Sequence, residues 1–263
     1  MKKMFKQIFI LVSLLLLGNE LAAENELVSS PLEEIMRQKI NTLGSGNSFT
    51  YVDLELTSNE IDLLEKLKFQ EDMGDHYGRF GNLHLIRDEL PEFLRRIGND
   101  DEEVIQAVAD IINRTVQNVV KASNKNSAWV TVRAFTPDDE YDIPRWHIDG
   151  QYYGLMSPYP YPDLVFKFAA VLKGPSTLLY NLPDDMREIF NSHWDDRLFL
   201  SELLDLNQAE SPAKGQGVFF IVSDKEIGAV HSEPKIDENR LFFSILIGDE
   251  SEINELYESW HSE

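Results

Sequence analysis

The sequence has no cysteine among its 263 residues. Without thiols it forms no disulfide and offers no thiolate to a metal, so any metal site has to use histidine or oxygen ligands. A chain of this length with 43% hydrophobic residues can bury a sizeable core. We therefore expect one well-cored domain that holds itself together by packing.

Basic residues are scarce. The chain has 24 lysines and arginines against 46 aspartates and glutamates, a formal charge of −22. Such a surface repels phosphate backbones and anionic membranes, so we predict no nucleic-acid partner. A small molecule or a polypeptide is the expected substrate class. The sequence says nothing about the oligomeric state.

No apolar run in the sequence is long enough to span a bilayer comfortably. The apolar run near the start, Ile8 to Leu17, follows Lys2, Lys3 and Lys6 and precedes small residues that end at Ala23. This is the layout of a bacterial-type signal peptide, and the run is too short to span a bilayer comfortably. We predict cleavage near Ala23 and export to the periplasm or beyond. We expect no permanent membrane anchor, and the absence of cysteine excludes a lipid-anchored lipoprotein.

The rest of the chain, residues 24–263, is expected to form a single domain whose first part, 24–125, is mainly helical. "TSNEIDLLEKLKF" starts with a capping box between Thr57 and Glu60. "ELPEFLRRIG" is a short helix candidate that ends at Gly98. The segment "NDDEEVIQAVADIINRTVQNVVKAS" has a stripe of valine and isoleucine at helical spacing and predicts the clearest helix.

The residue pattern changes near Asn126, and strands are predicted to dominate residues 126–250. Five segments are rich in β-branched and aromatic residues: "AWVTVRAF", "DLVFKFAAVLKG", "STLLYNL", "GVFFIVS" and "RLFFSILIGD". The last two are nearly continuous apolar runs, which predicts burial on both faces. Residues 251–263 indicate a closing helix. Helices followed by strands predict an α+β fold with a β-sandwich or barrel.

One short segment, "IPRWHIDG", places His147 and Asp149 two residues apart. Residues i and i+2 of a strand face the same side, so both can reach one ion, although a salt-linked surface pair has the same spacing. A third ligand has to come from elsewhere. His231 is the best candidate because it lies between two predicted buried strands, and Arg240 opens the second of them. The remaining histidines are read as ordinary surface or core residues.

The runs "VRAFTPDDEYDIPRWHID", "VLKGPSTLLYNL" and "GQGVFFIVSDKEIGAVHSEPKIDENRLFFSIL" resemble the Fe(II)/2-oxoglutarate-dependent dioxygenase superfamily. The resemblance covers about residues 127–248. It implies a double-stranded β-helix (jelly-roll) core with N-terminal helices packed against it. It also implies that His147, Asp149 and His231 are the Fe(II) ligands and that Arg240 grips the distal carboxylate of 2-oxoglutarate.

Three further residues are candidates for the cofactor site through the same resemblance. Thr177 or Tyr180, in and after the "GPST" turn, is expected to face the cofactor. Arg133, on the strand before the ligand pair, is expected to face the co-substrate or the substrate, with a structural ion pair as the alternative. The tyrosine- and proline-rich segment "QYYGLMSPYPYPDL" is either a substrate lid or a packed aromatic loop.

The function that the resemblance implies is an oxidoreductase: a dioxygenase that hydroxylates an unidentified substrate with iron and 2-oxoglutarate. 2-Oxoglutarate is chiefly a cytoplasmic metabolite, which is in tension with a signal peptide. Two alternatives therefore stay open. One is an exported cupin-like metal- or ligand-binding module without oxygenase turnover, and the other is a cupin-like metalloenzyme that uses no 2-oxoglutarate.

Overall fold

The structure is a computed structural model that describes residues 30–70, 74–152, 165–222 and 226–261. The predicted signal peptide, residues 1–23, and most of the tyrosine-rich segment, residues 153–164, lie outside the described residues.

Eight α-helices and eight β-strands are present in the described residues. The helices are α1 Pro31–Ile40, α2 Ser58–Glu65, α3 Ile86–Arg96, α4 Glu102–Ala122, α5 Asp149–Tyr152, α6 Arg187–Ser192, α7 Arg197–Leu203 and α8 Glu250–His261. The strands are β1 Phe49–Asp53, β2 Asp75–Phe80, β3 Ser127–Phe135, β4 Phe166–Lys173, β5 Leu178–Tyr180, β6 Gln216–Ile221, β7 Val230–Ser232 and β8 Arg240–Gly248.

The N-terminal helices form as the sequence predicts. At α2 the Thr57 hydroxyl accepts from the backbone N–H of Glu60, and the Glu60 carboxylate accepts from the backbone N–H of Thr57, which completes the capping box. The apolar stripe of α4 is fully buried. It packs with α1, α2 and α3 on one face of the main sheet, and their side chains form the largest hydrophobic cluster of the protein.

The sheets form a jelly roll. Six antiparallel strands lie in the order β1-β6-β4-β8-β3-β2, and β5 pairs with β7 in a second layer. Isolated bridges extend the second layer at both sides, from His147 to His231 and from Leu179 to Glu210. The chain thus alternates between the two layers, with β3, β4, β6 and β8 in one and their intervening segments in the other. This arrangement confirms the predicted double-stranded β-helix core with helices packed against it.

The structure adds elements that the sequence did not predict. Strands β1 and β2 come from the mainly helical part and form the two edges of the large sheet. Helices α6 and α7 lie between β5 and β6. The expectation that Asp149 continues a strand from His147 is wrong, because the extended segment ends before Asp149, which starts the short helix α5.

A search of the described residues for a bilayer-spanning helix finds none with the length and apolar character required.

Candidate metal centre

Two histidines face each other across the smaller layer. His147 and His231 form an antiparallel bridge in which each backbone N–H donates to the other's carbonyl at 2.9 Å. This pairing places the two imidazoles side by side, with ring centroids 4.2 Å apart. Both residues are at least 93% buried, at 6% and 7% exposure. The backbone of the jelly roll therefore fixes the position of both rings.

Asp149 completes a three-donor cluster. Its Oδ1 lies 3.4 Å from Nε2 of His147 and 3.3 Å from Nε2 of His231. Two ligands at about 2.1 Å from one ion and at a right angle to each other lie about 3.0 Å apart. The observed spacing is close to this, and in the described residues these three form the one cluster with metal-ligand geometry. The donor set therefore fits a single divalent ion.

The orientation of both imidazoles is set by backbone carbonyls. Nδ1 of His147 lies 2.7 Å from the carbonyl oxygen of Arg145, and Nδ1 of His231 lies 3.1 Å from that of Ala229. A carbonyl only accepts, so Nδ1 carries the proton in each ring and Nε2 directs its lone pair into the cluster. Such partners are the usual support of metal-binding histidines.

The second oxygen of Asp149 has a different partner. Oδ2 accepts from Nζ of Lys167 at 2.9 Å, and the lysine is itself buried. Burial by itself would raise the pKa of Asp149, but the Lys167 ammonium and the two imidazoles hold it well below its usual value. Lys167 thus keeps Asp149 ionised and leaves Oδ1 to the ion. The sequence-based reasoning missed this residue, although one charge inside the apolar strand "VFKFAAVL" is the signal that would have revealed it.

Arg240 is a buried cation on the same cavity. It is 2% exposed and donates to the carbonyl of Pro175 at 2.9 Å and to Oγ1 of Thr177 at 3.1 Å. Its guanidinium also lies over the ring of Phe242, 4.8 Å from the centroid. Burial lowers the pKa of Arg240 to about 10, so it stays charged at neutral pH. No carboxylate of the described residues forms an ion pair with it, which leaves its charge for a ligand.

A second acidic group lies two residues after the distal histidine. Glu233 pairs with Arg145 at 2.7 Å and lines the cavity. Burial opposes its ionisation, yet its neighbours His147 and Arg145 lower the pKa of Glu233 to about 2, and Arg145 also donates a hydrogen bond to it. This pair closes one side of the cavity as a neutral unit. Glu233 stands two residues after His231, and this spacing places both side chains on the same side of an extended segment. The sequence therefore contained a signal for the position of Glu233.

These groups surround a cavity of about 280 Å³. Its lining includes the three donors, Lys167, Arg240, Thr177 and Arg133. The alternative of a structural ion pair for Arg133 finds no support, because its side chain is exposed and has no acidic partner in the described part of the chain. The structure therefore brings six of the seven predicted site residues to one cavity.

Tyr180 is the exception. Its ring packs edge-on against Trp146, with centroids 5.6 Å apart, and its hydroxyl lies 3.3 Å from Oε1 of Gln208. Both rings belong to a hydrophobic cluster behind the smaller layer. Thr177, rather than Tyr180, faces the cavity. Trp146, which is 1% exposed, supports the ligand-bearing segment from behind.

Comparison with known proteins gives structural neighbours only. No protein-family model matches the sequence, and no curated protein matches it. Among solved structures, a prolyl-4-hydroxylase from Pseudomonas putida is similar at 10% identity and a TM-score of 0.42, over 82% of this chain and 99% of that chain. A dioxygenase for auxin oxidation from rice is similar at 7% identity and a TM-score of 0.45, over 82% of this chain and 78% of that one.

HygX from Streptomyces hygroscopicus, solved with nickel and 2-oxoglutarate bound, is similar at 16% identity and a TM-score of 0.43, over 81% of this chain and 87% of that chain. Likeness at such identities and scores says nothing about chemistry, which has to be read from the site itself.

Proposed function

We propose that this protein is a non-heme Fe(II)- and 2-oxoglutarate-dependent dioxygenase. The observation that supports the proposal is the convergence of two imidazoles and one carboxylate on a cavity that also holds a buried, unpaired arginine. Two histidines and a carboxylate on one face suit Fe(II), since they leave three positions for a chelating co-substrate and O₂.

The charges of the cavity suit 2-oxoglutarate. Asp149 is neutralised by Lys167 and Glu233 by Arg145, so the charge of Arg240 has no protein counterpart. A planar guanidinium held by Pro175 and Thr177 offers its remaining N–H groups to a carboxylate as a bidentate pair. A dicarboxylate with one end at the ion and the other at Arg240 places one negative charge beside each of these two positive charges.

Iron, when bound, supplies the activation of O₂. The net reaction converts substrate R–H, 2-oxoglutarate and O₂ to R–OH, succinate and CO₂. The residues of this chain do the rest: His147, Asp149 and His231 bind the ion, and Arg240 orients the co-substrate. Phe220 and Phe242 contribute apolar side chains to the wall of the cavity.

The experiment that tests this proposal is an anaerobic titration of the purified protein with Fe(II) and 2-oxoglutarate. The chelate is expected to give a weak visible charge-transfer band. His147→Ala should abolish the band, and Arg240→Met should weaken 2-oxoglutarate binding while metal binding persists. A band that needs neither residue, or no band at all, would contradict the proposal.

The rival proposal is a metal- or ligand-binding module without turnover. Release of succinate under air separates the two, because a module consumes no 2-oxoglutarate. A metalloenzyme that uses no 2-oxoglutarate would keep its activity in Arg240→Met, whereas the dioxygenase loses it.

Export of the protein is a further part of the proposal and is supported by residues 1–23 alone. N-terminal sequencing of the protein from fractionated bacterial cells is the test. The proposal expects a mature chain that starts near Glu24 outside the cytoplasm. A cytoplasmic chain that keeps Met1 or Lys2 at its start would overturn it.

A further inference from the structure

A second, larger cavity of about 790 Å³ lies beside the metal cavity. The two share Thr131, Arg133 and Phe135 in their linings, so they lie next to each other along β3. The larger cavity, here called the edge groove, lies over β2 and β3 at the edge of the large sheet. A ligand in the edge groove therefore lies next to the cavity of the candidate metal centre.

The floor of this path is a row of small side chains. Gly78 lies opposite Thr131, Thr131 opposite Ser244, and Ser244 opposite Ala169, in the registers of β2, β3, β8 and β4. Neighbouring strands are about 4.8 Å apart, so this row runs for about 14 Å from the sheet edge. It ends at Ala169, which is two residues from Lys167 and on the same face. A narrow trough thus leads from the edge groove to Asp149.

One side of the trough is aromatic. Phe80 stacks on Trp129 with centroids 4.5 Å apart and an interplanar angle of 14°. Tyr257 of α8 meets Phe80 edge-on at 5.2 Å. Phe80 and Trp129 form the cross-strand pair two residues along from the pair of Gly78 and Thr131, and therefore lie on the same face of the sheet. This surface suits a flat apolar group.

The other side of the trough is basic. His76 lies directly opposite Arg133, and this pair is two residues from the pair of Gly78 and Thr131 on the same face of the sheet. The side chains of His76 and Arg133 are both exposed. Neither forms an ion pair in the described residues. Arg133 therefore presents a guanidinium to the trough across from the aromatic wall.

The charge balance of both cavities singles out two arginines. The lining acids each have a basic partner: Asp149 with Lys167, Glu233 with Arg145 and Asp75 with Arg96. A further lining base, Arg79, pairs with Glu89. Among the lysines and arginines of the described residues that line the two cavities, only Arg240 and Arg133 lack a counter-ion, in a chain whose formal charge is −22.

We propose that the edge groove and its trough bind the primary substrate, and that this substrate is a small carboxylic acid with a flat apolar ring. Its carboxylate pairs with Arg133, its ring lies against Phe80 and Trp129, and its inner end reaches Ala169 beside the metal centre. That this ligand is the substrate rests on the proposed function. That it binds in the edge groove does not depend on the proposed function.

The size of the path favours a small molecule over a polymer. Cavities of about 300–1,000 Å³ are typical of small-molecule sites, and the edge groove falls in that range. A nucleic acid is disfavoured by the acidic surface.

The test is calorimetric titration of the full chain with two probes, phenylbutyrate and its uncharged amide. Each titration is run with Mn(II) and 2-oxoglutarate present and again with a chelator. Arg133→Met removes the proposed carboxylate partner. Gly78→Leu fills the trough at an exposed position where an added Cβ meets only Nε1 of Trp129, at 3.8 Å. Arg87→Met, an exposed arginine outside both cavities, is the matched control.

The proposal expects the acid to bind about tenfold or more tightly than the amide, as a charge-assisted pair provides. Arg133→Met should abolish that preference, Gly78→Leu should weaken both probes about tenfold, and Arg87→Met should change neither. Equal affinities, no binding of either probe at millimolar concentration, or a preference that survives Arg133→Met would overturn it. Binding that persists with the chelator supports the site even if the metal chemistry fails, so the two proposals fail separately.

Discussion

The two oxygens of Asp149 have different neighbours, and this decides how the residue can act. Oδ1 faces the two imidazoles and Oδ2 is held by Lys167. A carboxylate fixed in this way binds an ion through one oxygen and leaves the other coordination positions open. Lys167 is therefore a positioning residue for the metal centre.

Lys167→Met is predicted to weaken Mn(II) binding about tenfold or more, because loss of a partner that orients a ligand typically costs that much. Lys173→Met, on the same strand but bonded to the carbonyl of Glu65, should leave the affinity unchanged. Calorimetry measures both. If repulsion between the ammonium and the ion dominates, affinity will rise in Lys167→Met, which contradicts the assigned role.

The cluster of His147, Asp149 and His231 could be predicted from the sequence because of the His-x-Asp spacing and because His231 lies between two strongly apolar runs. The choice between Thr177 and Tyr180 could not be made from the sequence. The two residues are three positions apart and so face opposite sides around β5, and the sequence does not indicate which side faces the cavity. Arg145 and Glu233 were missed because a paired arginine and glutamate usually indicate a solvated surface. Their burial follows from the second layer, which depends on contacts between segments far apart in the chain.

At the scale of elements, the turn between β4 and β5 holds Arg240 in place. Gly174 has φ of +87° and approaches β8 so closely that an added Cβ would lie 2.5 Å from the carbonyl oxygen of Asn239 and 2.8 Å from Cα of Arg240. The next residue, Pro175, supplies the carbonyl that accepts from Arg240. A glycine is therefore required here for both conformation and space.

Gly174→Ala is predicted to destabilise the fold and to weaken 2-oxoglutarate binding, because the methyl group displaces the backbone of Arg240. Gly46→Ala is the matched control, since Gly46 has φ of +89° but nothing within 4 Å of an added Cβ. In the control, the free energy of unfolding should fall only by the amount that an alanine in a left-handed conformation costs, about 1–2 kcal/mol. Gly174→Ala should lose about 1–3 kcal/mol more, and equal losses in chemical denaturation would contradict the role of the turn.

The capping box of α2 predicts a pH dependence of stability. Burial opposes ionisation of Glu60, but its bonds to Arg114 and to Thr57 lower its pKa below the usual value. A lowered folded-state pKa stabilises the fold above the ordinary glutamate range, and the stabilisation is lost as the pH falls through and below that range.

Glu60→Gln keeps a side chain that can cap but loses the ion pair, so it should cost about 1 kcal/mol at neutral pH. The difference from the unsubstituted protein should shrink as the pH falls below about 4.5. Thermal unfolding across pH measures it, and a difference that grows in acid would contradict the assignment.

The two edge strands show where prediction of elements from sequence fails. β2, "DHYGRF", has a glycine together with an aspartate, a histidine and an arginine in six positions, so it lacks the apolar alternation of a half-buried strand. It forms because β3 offers a free edge, which is a tertiary effect. β3 and β4 were predictable because they are rich in β-branched and aromatic residues. β6 and β8 were predictable because burial on both faces requires near-continuous apolar runs.

At the scale of the whole molecule, two adjacent cavities of a strongly acidic chain are each lined by an arginine that has no acidic partner among the described residues, Arg240 in one and Arg133 in both. Everywhere along those linings the acids are neutralised by partners, so the local charge is opposite to that of the protein. This arrangement selects anions at the site and repels large polyanions from the surface.

Ligand binding should stabilise the whole fold, because the metal donors and Arg240 come from segments spread through the jelly roll. Mn(II) with 2-oxoglutarate at about a hundred times its Kd is predicted to add about 2.7 kcal/mol to the free energy of unfolding. His231→Ala should remove the gain. Thermal unfolding with and without both ligands measures it, and an equal gain in the variant would place the ligands elsewhere.

The most direct test of the central claim is a crystal structure of the protein with Mn(II) and 2-oxoglutarate, prepared without O₂. We predict one ion within about 2.0–2.2 Å of Nε2 of His147, Oδ1 of Asp149 and Nε2 of His231. The distal carboxylate of 2-oxoglutarate should lie on Arg240, and Nζ of Lys167 should stay on Oδ2 of Asp149. An ion bound elsewhere, or a 2-oxoglutarate that does not reach Arg240, would contradict the account.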